Sequence, residues 1–327
     1  MELHKGQFYK LADDFEVICE YFSEGDSWIT YQTPELTILN TNDCGIRTEK
    51  EANYIKNKFS KIDVLLTQFS YAYWVGNVDE VEYRRQVADD KLKWMKFQCD
   101  IFKPKVTIPI ASFIYFCHEE NFYLNDSVNT AEKTYNFLKN NTQTTPVILY
   151  NGDEYTFPEQ WDSIAAIQQY KNDYNQITSH KEILVKNSPV PLQEIYEQVK
   201  IFIDNLNKTN AFLLKTFLKD VKIHLSDYNK TYIFSLKKYL VETNIPYDEC
   251  DVSMSSESFL FCLKYPYGTD TTGINGRLQK PKNGHYARFH NIFRIDQLKS
   301  RGQEMTMKYL TNALLTKILV KLKLKEV

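Results

Sequence analysis

Residues 38–44, ILNTNDC, decide how the first half of the chain is read. The apolar pair Ile38-Leu39 gives way to Asn40, and Asp43 and Cys44 follow directly, so a short buried strand delivers a carboxylate and a thiol to a sheet edge. Two later segments answer to it. Residues 63–72, DVLLTQFSYA, read as a second buried strand, and Pro104 to Phe116 as a third that finishes on Cys117-His118. Catalytic and metal groups of α/β folds gather at such strand ends, so Asp43 and His118 are expected at neighbouring tips.

Upstream, residues 15–22 (FEVICEYF), 28–31 (WITY) and 37–40 (TILN) are short β-rich runs with turn residues at 23–27 (SEGDS) and at Thr33-Pro34, the pattern of a meander. Downstream, Ala52, Ile55 and Phe59 fall at helical spacing, and the strand at 62–68 leads into an aromatic loop, 69–77 (FSYAYWVGN). A long amphipathic helix from Asp79 to Phe102 carries Val87, Leu92, Met95 and Cys99, and Pro104 stops it. Strand, helix, strand, helix, strand is the order of an α/β layer. Asn151-Gly152 marks a hairpin, Trp161 to His180 and Pro191 to Asn207 read as helices, and strands around 221–225 and 232–236 open an α+β unit. A helix at 256–264, a turn-rich segment at 265–277 and an amphipathic closing helix, Gln303 to Leu324, complete it. The expected division is 1–155, a helical connector at 156–208, and an α+β domain at 209–327.

With 327 residues, 43% hydrophobic and 14% aromatic, the chain has enough apolar material for two folded cores. Lys+Arg 40 against Asp+Glu 42 gives a net charge of -2, which offers no general field for nucleic acid or an anionic membrane. The chain shows no apolar run of about 18 residues and no apolar signal core at MELHKGQFYKLADDF, so no transmembrane segment and a cytoplasmic location are expected. Cysteines 19, 44, 99, 117, 250 and 262 lack C-x-x-C spacing and are read as reduced thiols. The richness in Asn, Lys, Ile and Tyr fits an AT-rich bacterial source.

Three consecutive blocks, ILNTNDC, VLLTQFSYAYW and KLKWMKFQCDIFKPKVTIPIASFIYFCH, resemble in order and spacing the C-terminal part of the metallo-β-lactamase-like portion of CMP-N-acetylneuraminate hydroxylases. The wider group is the metallo-β-lactamase-fold metallohydrolases, and the resemblance covers residues 13–125. It implies a partial metallo-β-lactamase-like (αββα) layer in an α/β fold, followed by the helical connector and the small α+β domain. It also implies a two-metal site of zinc, iron or manganese, acting on a sugar-nucleotide, glycan or lipid-ester substrate. Asp43 falls at the place of the bridging aspartate and His118 at that of the terminal histidine. The segment DVSMSSESFLFCLKYPYGTDTTGINGRL is similar to sterol-carrier-like domains appended to some of these hydrolases.

The family's H-x-H-x-D-H motif is missing, and the histidines at 4, 118, 180, 224, 285 and 290 have no spacing that replaces it. A catalytic zinc takes about three protein ligands, so Asp43 and His118 alone leave the metal site incomplete and the metal position unfilled in this chain. Two readings follow: a hydrolase of this family, or a non-catalytic remnant that serves as a binding or assembly module. The apolar face that a missing half would cover predicts a homodimer or a covering partner. Cys44, Phe69, Ser70, Tyr71, Tyr73, Trp74 and Glu119 are the further pocket candidates. For each a plainer role stands beside the pocket role: turn or cap chemistry for Asp43, a local hydrogen bond for His118, burial for Cys44, packing under the long helix for the aromatics, and solvation for Glu119.

Overall fold

The computed structural model describes residues 2–22, 26–179, 184–209 and 218–302. Its contacts divide the chain into two units, one of Met1–Val75, Glu80–Cys117 and Tyr123–Leu184, the other of Gly76–Asp79, His118–Phe122 and Val185–Val327.

The first unit is built on a seven-stranded sheet in sequential order: β1 (Phe8–Ala12), β2 (Phe15–Tyr21), β3 (Ser27–Gln32), β4 (Thr37–Asn40), β5 (Val64–Gln68), β6 (Val106–Ile110) and β7 (Thr145–Pro146). The meander β1 to β4 is antiparallel, and β4 to β7 run parallel. The parallel pairs need crossovers, which α1 (Glu49–Lys56), α2 (Val81–Phe102) and α3 (Ala131–Asn141) supply.

Helix α1 starts where Thr48 and Glu51 form a capping box. Helix α2 ends where Lys103 turns left-handed at φ 50 just before Pro104. One sheet face sets Ile18, Trp28, Leu39 and Leu65 against Ala52, Ile55, Leu92, Met95 and Phe102 of these helices. The other face sets Val64, Val106 and Ile108 against Val147, with Leu149, Tyr155, Phe157 and Trp161 partly covering it before α4 (Ser163–Ser179). At the N-terminal edge of the parallel strands the buried carboxylate of Asp63 accepts the Thr37 N–H at 3.1 Å and pairs with Lys61 and Lys105 at 3.1 and 3.3 Å. That edge is closed by a satisfied acid.

The second unit holds a four-stranded sheet in the order β10 (Tyr239–Thr243), β9 (Lys230–Ser235), β8 (Val221–Leu225), β11 (Val252–Met254), with β11 parallel to β8. Helices α5 (Leu192–Thr209), α6 (Ser256–Lys264), α7 (Gly268–Asn275) and α8 (Tyr286–Ser300) belong to it. Its core is a run of aromatic contacts, Phe202 with Phe293 at 4.9 Å, Phe234 with Phe259 at 5.6 Å and Phe289 with Phe293 at 4.8 Å between ring centroids.

The sequence and the structure part in five places. Strand β6 ends at Ile110, where Ala111 takes φ 55, so Cys117 and His118 are not at its tip. Asn151-Gly152 does form a turn, closed by Asp153 N–H to the Tyr150 carbonyl at 3.0 Å, but β7 pairs parallel to β6 and no hairpin forms around that turn. Segment 265–277 contains the helix α7, and α8 was not foreseen. In place of a separate connector, α4 belongs to the first unit and α5 to the second. The expected closing helix and His180 lie outside the described residues. All six cysteines are free, and no helix among the described residues is long and apolar enough to cross a membrane.

Candidate functional site

The C-terminal edge of the parallel strands in the first unit is open. A cavity of about 430 Å³ lies there, lined by Phe22, Asp26, Asp43, Gly45, Arg47, Glu51, Gln68, Tyr73 and Lys91. Crevices outside the carboxyl ends of parallel strands are where α/β sheets bind ligands, because loops there diverge while the strands hold their roots fixed.

Each wall follows from local chemistry. Past β4, Asn42 adopts φ 48, stabilised by its N–H donating to Asn40 Oδ1 at 2.8 Å, and its side-chain amide donates to Asp43 Oδ1 at 2.8 Å. Asp43 is therefore held on the exposed rim. Arg47 follows, its N–H bound by Glu51 Oε2 at 2.9 Å and its guanidinium stacked 3.8 Å over the Trp94 ring. Gln68 is the last residue of β5. Lys91 comes up from α2 as the floor, 7% exposed, with its ammonium 5.6 Å from the Tyr73 ring and 5.2 Å from that of Trp94. Its Nζ donates to Gln68 Oε1, and among the described residues neither Lys91 nor Arg47 forms an ion pair with a carboxylate.

Burial and the neighbouring Arg47 push the Lys91 ammonium down to about 8, against the pull of Asp43 and Asp26. Burial, then repulsion from Asp43, raises the Asp26 carboxyl above its ordinary value. The cavity thus has two acids that repel each other and two cations, neither of which forms an ion pair with a carboxylate among the described residues.

Of the residues expected at a site, Asp43 and Tyr73 line this cavity. Cys44 does not. It is 3% exposed in the sheet–helix core, and burial together with Asp26 and Asp43 pushes its thiol to about 12. Phe69 is buried edge-on to Phe113 at 4.9 Å. Ser70 is fully buried, its carbonyl accepting from Ser112 Oγ at 3.0 Å and its Oγ from the Asn129 N–H at 2.9 Å. Tyr71 is buried and donates to the Leu124 carbonyl. These three hold the loop after β5 rather than a ligand. Trp74 is half-buried, and Glu119 is exposed in the second unit.

His118 also belongs to the second unit. It is 6% exposed, and its Nδ1 accepts the Glu120 N–H at 3.3 Å. Burial, then the positive charge of Arg277, keeps the imidazole below its ordinary value, so it is neutral. Arg277 in turn bonds Glu120 at 2.9 Å, Glu257 at 2.7 Å and Asn187 at 2.6 Å. Its Nδ1 is thus occupied by a backbone donor, and its buried Nε2 lies in the second unit rather than in the cavity that holds Asp43.

The donor set does not fit a binuclear metal centre. Among the described residues no group of three or more His, Cys, Asp or Glu could hold a metal ion, and Asp43 shares its cavity with two cations. Sequence reasoning missed Lys91, Arg47, Asp26 and Gln68. The available signal was a lysine inside the apolar stripe Ala88, Leu92, Met95 of α2.

No family model matches the chain, and no curated protein matches it. Among solved structures, a point variant of the CmlA beta-hydroxylase is similar at 10% identity over 46% of this chain, with a TM-score of 0.30. CmlA from Streptomyces venezuelae, described as a diiron beta-hydroxylase, is similar at 12% identity over 45% of this chain, with a TM-score of 0.30. In both cases the match spans 32% of the solved chain.

Proposed function

We propose that the cavity at the carboxyl ends of β4 and β5 binds a small organic ligand with one anionic end, a carboxylate or a phosphate. Arg47 and Lys91 receive that end over the Tyr73 and Trp94 rings, and Asp26 and Asp43 face the rest of the molecule. The observation that carries this reading is the floor lysine: Lys91 is buried in a cavity wall with an amide as its side-chain partner and no carboxylate within ion-pair distance, Asp26 and Asp43 acting on it only from farther off. Burying a cation without an anion costs stability, and functional sites are where such costs persist. The two acids on the rim disfavour a polyanion, which narrows the ligand to one with a single strongly charged end.

Binding has a measurable signature. An anion beside Lys91 favours the charged amine and raises its pKa from about 8, so near pH 8 the complex takes up protons as it forms. Calorimetric titration with succinate and with inorganic phosphate, in buffers of different ionisation enthalpy, checks this. Proton uptake that disappears in Lys91→Met supports the reading, and binding unaffected by that substitution removes it.

A metal-dependent hydrolase acting on a sugar-nucleotide, glycan or lipid ester is the second reading. It is supported by Asp43, which lies on the cavity rim three residues past the end of β4. It requires at least two further donors from outside the described residues. Metal analysis of the purified chain tests it: near-stoichiometric zinc, iron or manganese that is lost in Asp43→Ala supports it, and a metal-free chain rejects it.

A further inference from the structure

We propose that Lys91 is a nucleophile that condenses with the carbonyl of a 2-oxo acid to form an imine, with the acid's carboxylate seated on Arg47. The inference rests on the anion-binding reading of the same cavity and adds a covalent step to it.

The geometry has the parts that such a step needs. The Lys91 amine is nearly buried, yet it lines the cavity, and the Tyr73 and Trp94 rings on its flanks limit its freedom. Gln68 fixes its direction, because the Gln68 amide donates from Nε2 to the Ala111 carbonyl at 3.4 Å and so presents Oε1 to the amine. The Arg47 guanidinium lies 3.8 Å from the Trp94 ring centroid, and its planar fork can take a carboxylate by two parallel hydrogen bonds. A 2-oxo acid places its carbonyl one bond from its carboxylate, and here the guanidinium and the amine share one ring, 3.8 Å and 5.2 Å from the Trp94 centroid.

A lysine that is desolvated and set beside another cation is activated in this way, because part of it is unprotonated at neutral pH. Here, with the ammonium held near 8, roughly a tenth of the amine is free at pH 7. The titratable groups on the elements around it are Asp43 and Arg47 from the loop after β4, Asp26 before β3, Glu51 of α1 and Tyr73 of the loop after β5. Asp26, whose carboxyl burial and Asp43 raise above its ordinary value, lines the same cavity and is placed to pass protons.

The step balances without a redox partner. The nitrogen lone pair forms a C–N bond to the carbonyl carbon, and the C–O π electrons move to oxygen, which takes a proton from the Asp26 carboxyl. The nitrogen gives up a proton to Asp43. Asp43 returns that proton to the hydroxyl, which leaves as water as the nitrogen lone pair closes the C=N bond, and the nitrogen's remaining proton passes to the Asp26 carboxylate. Amine plus oxo acid yields imine plus water.

Borohydride trapping tests this. The full chain is incubated with pyruvate at pH 8, reduced, digested and mapped by mass spectrometry, with acetaldehyde as a carbonyl that lacks a carboxylate and succinate as an anion that lacks a carbonyl. Expected is one reduced adduct on Lys91, absent in Lys91→Arg and Lys91→Met. Arg47→Gln should lower the pyruvate yield at least about tenfold more than that of acetaldehyde, because loss of its charge leaves less free amine for both carbonyls but removes the carboxylate seat for pyruvate alone. If succinate binds in a Lys91-dependent manner but pyruvate leaves no adduct, the nucleophile falls and the anion site stands. If neither occurs, both fall. An adduct spread over surface lysines with no preference for Lys91 also overturns the proposal.

Discussion

Arg84 and Lys91 sit two turns apart on α2 and are both buried, at 0% and 7% exposure, yet the fold treats them in opposite ways. Arg84 forks onto Asp126, Nε to Oδ1 at 2.9 Å and a terminal nitrogen to Oδ2 at 2.8 Å, with the Tyr123 ring 4.9 Å away. Lys91 has the Gln68 amide and no carboxylate. A buried charge with its counterion built in is architecture. A buried charge left for something else is stored binding energy, carried at the expense of stability. The contrast also locates the site, because one helix passes from a sealed end to an open cavity.

The largest expected effect breaks the sealed end. Arg84→Met removes the cation from its pair with Asp126 and should cost about 3 kcal/mol, the low end for a broken buried pair, since Asp126 is 35% exposed and can rehydrate. Burial alone would raise the Asp126 carboxyl, but Arg84 outweighs it and holds it below the ordinary range. The sign of the pH dependence follows. A depressed carboxyl contributes stability above its unfolded value of about 4, so the wild-type advantage is intact at pH 7 and shrinks as acid protonates Asp126. Urea midpoints of both proteins at pH 7 and pH 3 measure it.

At the open end the sign reverses. Lys91→Met should stabilise the chain at pH 7 by up to about 3 kcal/mol, because the ammonium that burial pushes from 10.5 to about 8 no longer has to be charged or neutralised. For a base with a lowered folded value the penalty is complete below about 8 and fades as pH climbs towards 10.5, where the unfolded chain also sheds its proton. Melting temperatures at pH 7 and pH 10 should therefore converge between variant and wild type. A variant that melts lower at pH 7 would mean that Lys91 is compensated, and the contrast with Arg84 would collapse.

That contrast was half legible in the sequence. Asp43 is legible because the apolar run of β4 stops shortly before it, a signal of period and length that survives folding. Lys91 is not legible in the sequence, because a lysine in an amphipathic stripe ordinarily snorkels its charge to water, and only the loops after β4 and β5 close that route. His118 was misplaced for a related reason. The tract Ile108 to Phe116 is almost continuously apolar, but after Ala111 its rings pack on neighbours, Phe113 on Phe69 and Phe116 near Tyr71, and not in the ladder. The stretch GTDTTGIN of α7 reads as turns in the sequence because it is poor in helix formers. Packing overrides that preference: a Cβ on Gly268 would stand 2.6 Å from the Cys262 Cα and 2.7 Å from the Phe261 carbonyl oxygen. Only glycine lets α7 approach α6 so closely.

A subtler change sharpens the open end. Asp43 and Asp26 pull the Lys91 value up, so Asp43→Asn should lower it further while leaving the fold intact, since Asp43 is exposed and its neighbours Asn40 and Asn42 shape the turn by themselves. Amine titration of Lys91, followed by NMR of the labelled side chain, gives the direction. A rise instead of a fall would take Asp43 out of the field that Lys91 feels.

The smallest effect belongs to Glu51, the remaining acid of the cavity and the one that could supply the missing counterion. Its carboxylate is already engaged: Oε2 accepts the N–H of Arg47 and that of Thr48, each at 2.9 Å, and its own N–H donates to Thr48 Oγ1 at 3.3 Å. Burial would raise this carboxyl, but those donors hold it below the ordinary range. A glutamine serves the same capping box with a neutral oxygen, so Glu51→Gln should change stability by less than about 0.5 kcal/mol, whereas Glu51→Ala, which loses the reciprocal arm, should cost about 1 kcal/mol. Neither should move the Lys91 titration, because the charge at Glu51 is turned towards its own helix terminus. A clear drop in the Lys91 value in Glu51→Gln would identify Glu51 as the hidden partner. Lys91 would then stand where Arg84 stands, a paired charge of the architecture, and the cavity would lose its claim on an outside anion.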